Sequence, residues 1–333
     1  MNALEVISLG KWYGRIRGVE DLSFSVGQGE VFGYLGPNGS GKTTTLRCVL
    51  GFLKPSSGET RVFGQPVVHG LATQHHRIGY LPGDFRIWPD LTARKSLEML
   101  GALGGGVLGG AVSRDDNGNR ADHGRAADHI DHDPRRRREE LAERLDLDLD
   151  RRVRDLSKGN RQKIAVLFAF QHQPDLLILD EPTTSLDPLV RQTVMSLIRE
   201  AAADGATVFL SSHDLAEVAG VCGRAGILRS GRLVELAPIS QIVSQSECRM
   251  KVWFTGDAPE FPAEHFKQAR VVHREGGFLL LAVRGTPDEI LKWLAQFPVE
   301  RISTPEPTLE EAFMVYYHEG AREKSDAHSE GTT

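Results

Sequence analysis

Long apolar runs are missing from this sequence. No window approaches the roughly 18 to 20 apolar residues a helix needs to cross a bilayer, and the greasiest stretches, AVLFAF and FLLLAV, are strand-sized. A membrane-embedded helical chain is therefore not expected. Cysteine is scarce as well. Cys48, Cys222 and Cys248 are odd in number, far apart and without CxxC spacing, which argues against a disulfide framework or a zinc site and for a reducing compartment. The opening MNALEVISLGKWYG has neither the basic start nor the apolar stretch of a secretory signal, so a cytoplasmic location is expected. Nor is there an excess of positive charge. With 40 Lys and Arg interspersed among 45 Asp and Glu, the net charge is -5, and no basic face announces a nucleic-acid partner.

What is present reads as an α/β protein. The 333 residues allow one large domain and a smaller one. Residues 4 to 35 read as short strands broken by turns, with VGQGE leading into the apolar run VFGYLG. A helical pattern runs from Thr43 to Leu53, then turn and strand return in KPSSGETRVFGQPV. Residues 92 to 103 and 138 to 145 read as helices, after which strands LLILD and TVFLSS alternate with a helix at 188 to 203.

Between Gly104 and Arg138 the chain is first glycine-rich and then crowded with Asp, His and Arg, with almost nothing apolar to support a core. A disordered insertion over 104–138 is expected. His123, His129 and His132 stand beside Asp residues there, but without a rigid scaffold they read as a solvated loop and not a metal site. After residue 240 a second pattern begins: strand KVWFTG, strands flanking REGG, helix PDEILKWLAQF and strand VERIST. The expectation is a main domain over 1–240, a small α+β domain over 241–320 and a frayed polar tail over 321–333.

The chemistry gathers in a few motifs. GPNGSGKTTT matches GxxxxGK[ST], follows an apolar strand and opens a helix, which is the setting of a phosphate-cradling loop. Its residues are Gly36, Pro37, Asn38, Gly39, Ser40, Gly41, Lys42, Thr43 and Thr44. The glycines let backbone N–H groups turn inward, Lys42 can reach the β- and γ-phosphates, and the Thr43 hydroxyl can ligate Mg²⁺. LLILDEP delivers two carboxylates at the end of a buried strand: Asp180 near the metal, and Glu181 placed to polarise an attacking water if the geometry permits.

Taken together, GPNGSGKT, LSKGN, LLILDEP, SLD and the His of LSSHD resemble, in order and spacing, the ATPase subunit of ATP-binding cassette (ABC) transporters, over about residues 4 to 235. The resemblance implies a P-loop NTPase fold with an antiparallel β subdomain and an α-helical subdomain. It implies MgATP as cofactor, a head-to-tail dimer with a second copy or a homologous subunit, and an integral membrane permease as a separate chain. It also explains a second glycine-centred turn, RDLSKGNRQK, in a chain that already has a phosphate loop. In the family that segment closes over the γ-phosphate held by the other subunit, so Ser157 and Gly159 are expected to serve a partner's nucleotide. By the same likeness Asp187 communicates across the dimer, His213 contacts the γ-phosphate, and Tyr13 stacks on adenine, with Trp12 as the alternative.

The match has departures. Lys158 and Asn160 replace the glycine and glutamine of the common LSGGQ, and Gly83 stands where the family usually carries Gln, leaving Asp84 or a water to approach the metal. WPDLTARKSL resembles the family's segment that receives a helix from the membrane partner, which makes Trp88 a contact there or a partly buried residue of the helical subdomain. PTLEEAFMVYY resembles the C-terminal segment of drug, antibiotic and polyketide exporter ATPases. Read physically, it is a helix capped by Thr308 with Leu309, Phe313, Val315 and Tyr316 largely on one side. The reading is an exporter's ATP-hydrolysing motor subunit, peripheral on the inner face of the membrane. The rival is a soluble ABC-type ATPase acting on ribosomes or nucleic acid; a non-catalytic nucleotide-binding module ranks last because Glu181 and His213 are both present.

Overall fold

The computed structural model describes residues 1–69, 77–103, 134–244, 248–304 and Leu309. These form two compact units, one over Met1–Leu236 and a second from Ala237 onward. The boundary falls four residues before the expected one.

The first unit is built on two sheets. One holds β1 (Asn2–Tyr13), β2 (Ile16–Gly27), β4 (Ser57–Val62) and β5 (Gln65–Pro66), in the antiparallel order β2-β1-β4-β5. The other holds β3 (Val31–Leu35), β6 (Ile78–Leu81), β7 (Leu176–Asp180), β8 (Thr207–Ser212), β9 (Arg224–Arg229) and β10 (Arg232–Pro238), in the order β10-β9-β3-β8-β7-β6. From β9 to β6 its neighbours are parallel. Every residue of β7 and of β8 is buried, which is why LLILD and TVFLSS read as unbroken runs and not as alternating strands. Phe24 of the first sheet packs on Phe32, Tyr34 and Phe209 of the second, with ring centroids 5.5 to 6.0 Å apart. The buried Tyr34 hydroxyl is satisfied by Thr45 Oγ1 at 3.1 Å.

Helix α1 (Lys42–Val49) stops short of the expected Leu53 because Gly51, at φ 72°, takes the left-handed C-terminal position and donates its N–H to Cys48 O at 3.1 Å. The helical part comprises α2 (Ala93–Leu103), α3 (Pro134–Arg144) and α4 (Lys158–Phe170), with α5 (Pro188–Ala203) and α6 (Leu215–Val221) following in the main sequence alternation. Helix α3 corrects the insertion boundary. It begins at Pro134, a residue preorganised for a helix start, and Arg138, expected inside a disordered stretch, is only 1% exposed. Arg138 donates to Glu98 Oε1 at 3.1 Å and lies 3.4 Å from Gln171 Oε1, so an arginine run that looks solvated supplies a buried guanidinium paired with an exposed carboxylate. Residues 104–133, including His123, His129 and His132, lie outside the described residues.

Arg144 of α3 grips the Glu200 carboxylate of α5 with two hydrogen bonds of 2.6 Å, and Ser196 adds a third of 2.9 Å. Those bonds, Arg144 first, hold the Glu200 carboxyl down at about 2. A depressed folded-state pKa gives stability that is present above the ordinary carboxylate range and lost as pH falls toward 2. The pair is partly exposed, so its contribution is about 0.5–1 kcal/mol after screening. Glu200→Gln is expected to remove that increment at pH 7 and to flatten the stability curve between about pH 4.5 and 2, as urea unfolding across that range would register. Equal pH slopes in the two proteins would refute it.

The second unit holds α7 (Ile239–Ser244) and an antiparallel sheet of β11 (Cys248–Phe254), β12 (Ala269–Glu275), β13 (Phe278–Val283) and β14 (Val299–Ser303), in the order β12-β13-β11-β14. With α8 (Asp288–Leu294) it closes a core of Met250, Val252, Phe254, Phe261, Phe266, Leu279, Leu281, Ile290 and Leu294. This is the small α+β pattern expected of the region. Leu309 is buried, and the rest of the expected 308–316 helix and the 321–333 tail lie outside the described residues.

Candidate functional site

The loop between β3 and α1 can fold tightly only because of its glycines. Gly39 and Gly41 have φ of 80° and 110°, and a Cβ on Gly41 would come within 2.8 Å of Gly18 O. The loop borders a cavity of about 370 Å³ lined by Arg17, Gly18, Pro37, Asn38, Gly39, Gly41, Lys42, Thr43, Thr44, Gly83, Asp180, Glu181, Thr184 and His213. Ser40 is buried beneath it, its hydroxyl without a hydrogen-bond partner among the described residues.

Four strand ends and one helix start converge here. Lys42 is 6% exposed, donates to Gly36 O at 2.5 Å and sits 3.5 Å from Glu181 Oε1. Thr43 Oγ1 donates to Asp180 Oδ2 at 2.9 Å, and Ser211 Oγ donates to Asp180 Oδ1 at 2.5 Å. Glu181 has a φ of 54°, a left-handed turn immediately after β7 that lifts its carboxylate away from the strand line. Its Oε2 is 2.5 Å from His213 Nδ1. Lys42, Glu181 and His213 are thus in one polar chain, with the Thr43–Asp180 pair beside it.

Thr43 and Asp180 offer one hydroxyl and one carboxylate, 2.9 Å apart. That is the hard, oxygen-only pair suited to Mg²⁺, which keeps several waters and takes further ligands from phosphates. No group of three or more His, Cys, Asp and Glu able to hold a metal occurs among the described residues, so a softer all-protein metal centre finds no scaffold there.

Tyr13 stands at the rim. It is 45% exposed, its hydroxyl lies 3.5 Å from Thr44 Oγ1, and its ring would touch a Cβ placed on Gly18 at 2.9 Å. Trp12 precedes it on β1 and is as exposed, but it is Tyr13 whose hydroxyl approaches Thr44 of the lining, so Tyr13 is the better placed of the two.

Ser157, Gly159 and Asp187 do not line this cavity. Ser157 Oγ caps α4 by accepting from Asn160 N at 3.1 Å. A Cβ on Gly159 would lie 2.8 Å from Ser185 O, so the turn packs against the loop that leads to Asp187. Asp187 caps α5 through the N–H groups of Val190 and Leu189, which hold its carboxyl below the usual range. At Gly83 a Cβ would sit 3.4 Å from Asp180 Oδ2, so this residue adjoins the metal-suited carboxylate. Asp84 does not take up the missing role. It is exposed, pairs with Arg86 at 2.8 Å and is absent from the lining. Trp88 is 39% exposed.

Arg17, Gly18 and Thr184 line the cavity without belonging to any motif read from the sequence, and Ser211 and Gln162 support it from behind. Gln162 Nε2 donates to Pro182 O at 3.0 Å, joining α4 to the turn after Glu181. Of these, Gln162 lies within the RDLSKGNRQK segment and Ser211 is a polar residue closing an apolar strand, so both positions had a signal.

Comparison with known proteins bears on this geometry. The family model for the ABC transporter matches residues 19–184. The Nod factor export ATP-binding protein I of Bradyrhizobium diazoefficiens is 31% identical over 318 residues, 94% of this chain and 95% of that one. Its counterpart in Paraburkholderia xenovorans is 34% identical over 249 residues, 74% of each. The bacitracin transport ATP-binding protein BcrA of Bacillus licheniformis is 28% identical over 322 residues, 93% of this chain and 96% of that one. A solved ATP-binding subunit of an ABC transporter superposes with a TM-score of 0.62 at 28% identity, covering 73% of this chain and 92% of its own. An ATP-binding cassette solved as a dimer with ADP and Pi has a TM-score of 0.58 at 22% identity, covers 71% and 98%, and shares the fold. No helix among the described residues is long and apolar enough to cross a membrane. With a phosphate loop, a Thr–Asp oxygen pair and a Glu–His contact assembled around one cavity, and a relative matched along nearly its full length, the chain belongs to the ABC transporter family.

Proposed function

We propose that this chain is the ATP-hydrolysing motor subunit of an exporter, converting ATP and water to ADP and phosphate and driving a separate membrane permease. The observation that carries the reading is the convergence of Lys42, Glu181 and His213 on one polar chain beside the Thr43–Asp180 pair. Phosphoryl transfer asks a protein mainly for positioning and for stabilised charge. Lys42 supplies a buried cation to the β- and γ-phosphates, and the backbone N–H groups of Gly39 and Gly41 bind phosphate oxygens. Thr43 and Asp180 would hold Mg²⁺, which when bound neutralises charge on the phosphates. Glu181 orients the attacking water and takes its proton, while His213 holds that carboxylate and meets the γ-phosphate. Tyr13 offers a flat face to adenine.

Ser157, Gly159 and Asp187 have no place in the chain's own cavity. Ser157 and Asp187 are exposed at the starts of α4 and α5, with the half-buried Gly159 beside Ser157, which supports a head-to-tail pair, with a second copy or a homologous subunit, in which each signature turn completes the other's site. The exporter assignment draws on relatives named for Nod factor export and bacitracin transport. Its permease would hold the chain at the inner face of the membrane. Affinity-tagged Glu181→Gln, purified from solubilised membranes of the native host with MgATP, is expected to bring down a multi-spanning membrane protein. Recovery of ribosomes or nucleic acid in its place would overturn the exporter reading in favour of a soluble ATPase.

A further inference from the structure

The turn carrying Glu181 and the turn carrying His213 are tied together from behind by a polar cluster that the reaction itself does not use. At its centre is Glu217 of α6, whose side chain is only 10% exposed. Thr183, two residues after Glu181, donates its hydroxyl to Glu217 Oε2 at 2.7 Å. Asp214, next to His213, caps the same helix by accepting from Ala216 N and Glu217 N at 3.1 and 3.2 Å. Arg191 of α5 lies across both, its Nη1 3.7 Å from Asp214 Oδ2 and 3.9 Å from Glu217 Oε1, and its Nε donates to Leu186 O at 3.1 Å. Leu186 immediately precedes Asp187.

As a stabilising device this cluster is poor. Glu217 Oε1 is buried without a hydrogen-bond partner among the described residues, the Arg191 contact is long, and burial pushes the Glu217 carboxyl up against the opposing Thr183 bond, with Asp214 and Glu181 adding like charge. A buried carboxylate so incompletely paired costs more than an apolar side chain of its volume. What it does achieve is geometric: the Glu217 side chain holds the Glu181 turn through Thr183 while its backbone N–H holds Asp214 of the His213 turn, so one residue joins two turns whose tips, Glu181 and His213, must stay within a hydrogen bond of each other. We infer that Glu217, with Arg191, is a positioning residue for the Glu181–His213 pair, holding both turns in register with the loop that carries Asp187. The inference rests on the ATPase reading.

The test compares steady-state MgATP turnover, nucleotide Kd and Tm in Glu217→Ala, Glu217→Gln and Thr183→Val, alone and in a His213→Ala background. Misplacing a reacting group by about 1 Å costs on the order of 100-fold. Glu217→Ala is therefore expected to lower kcat by about 10- to 100-fold with Kd within about twofold. Thr183→Val, which keeps volume and removes only the hydroxyl, should act in the same direction. Glu217→Gln, which retains an acceptor for Thr183, should recover turnover to within about threefold of wild type. In the His213→Ala background Glu217→Ala should add no more than about twofold, because the pair it positions is gone. The inference fails if Thr183→Val and Glu217→Ala turn over like wild type, if Gln is as damaging as Ala, or if the loss is undiminished without His213. A wild-type chain with no MgATP turnover would overturn the ATPase reading as well, whereas normal wild-type turnover beside any of those failures removes this inference alone.

Discussion

Glu181→Gln is expected to lower ATP turnover by at least about 100-fold while leaving nucleotide affinity within a few fold. The substitution is isosteric, so the left-handed turn at residue 181, the backbone bond from Glu181 N to Ser211 O at 3.0 Å and the packing under Pro182 are all retained. What disappears is the carboxylate's capacity to accept a proton. General-base catalysis contributes roughly 100- to 10,000-fold where the base is well placed. The loss should fall on kcat and not on binding, since Lys42, Thr43 and Asp180 keep their geometry and the amide still reaches His213. Removing negative charge 3.5 Å from Lys42 Nζ also leaves that cation freer to meet phosphate, so affinity should hold or rise slightly. Single-turnover hydrolysis alongside equilibrium binding decides the matter. A fall in affinity parallel to the fall in kcat would mean that Glu181 holds the nucleotide and is not the base.

Why these residues were legible is a matter of local chemistry. A phosphate loop needs glycines at fixed offsets because backbone N–H groups must face one point, and Gly39 and Gly41 do adopt positive φ. A buried parallel strand has to be apolar until it ends, so LLILD followed by Glu181 announced both carboxylates and their position at the strand's C-terminal end. Thr43 and Asp180 are 137 residues apart, yet each sits where its own segment's pattern put it. Arg17 and Thr184 reach the cavity only because two sheets and a turn bring them there, and nothing in their neighbours' spacing records that. Glu217 reads as an ordinary acidic residue in the first turn of a helix until Thr183 is seen against it.

The fold had the same division. Strand β11 of the second unit alternates, with Met250, Val252 and Phe254 buried in turn, because one face packs into the core that holds Phe261 and Phe266. The start of α3 was hidden. An arginine run with no apolar residue looks solvated, and only tertiary contacts with Glu98 and Gln171 make burial of Arg138 tolerable. Asp84 misled for the converse reason: its sequence position beside Gly83 suggested the site, but a local pair with Arg86 holds it in solvent.

Mixing two inactive variants should restore activity. Lys42→Ala removes the buried cation of the phosphate loop, which binds phosphate in the ground state and stabilises the charge on the transferring phosphoryl group more strongly in the transition state, so both affinity and turnover should collapse. Gly159→Asp should be equally damaging for two reasons: any Cβ there meets Ser185 O at 2.8 Å, and the added carboxylate would face a partner's γ-phosphate. Neither variant alone can form a sound site. In a pair made of one of each, however, the Gly159→Asp subunit brings an intact Lys42 and the Lys42→Ala subunit an intact Ser157–Gly159 turn, so one of the two shared sites is whole. Random pairing of equal amounts makes about half the dimers mixed, and with one working site in each the mixture should recover about a quarter of wild-type turnover. If the signature turn served its own chain's nucleotide, each variant would be defective by itself and the mixture would stay dead. Turnover measured after co-refolding or co-expression therefore separates the two arrangements: the cavity of one chain is lined without Ser157 and Gly159, so rescue by mixing is the result expected if a second chain brings them to it.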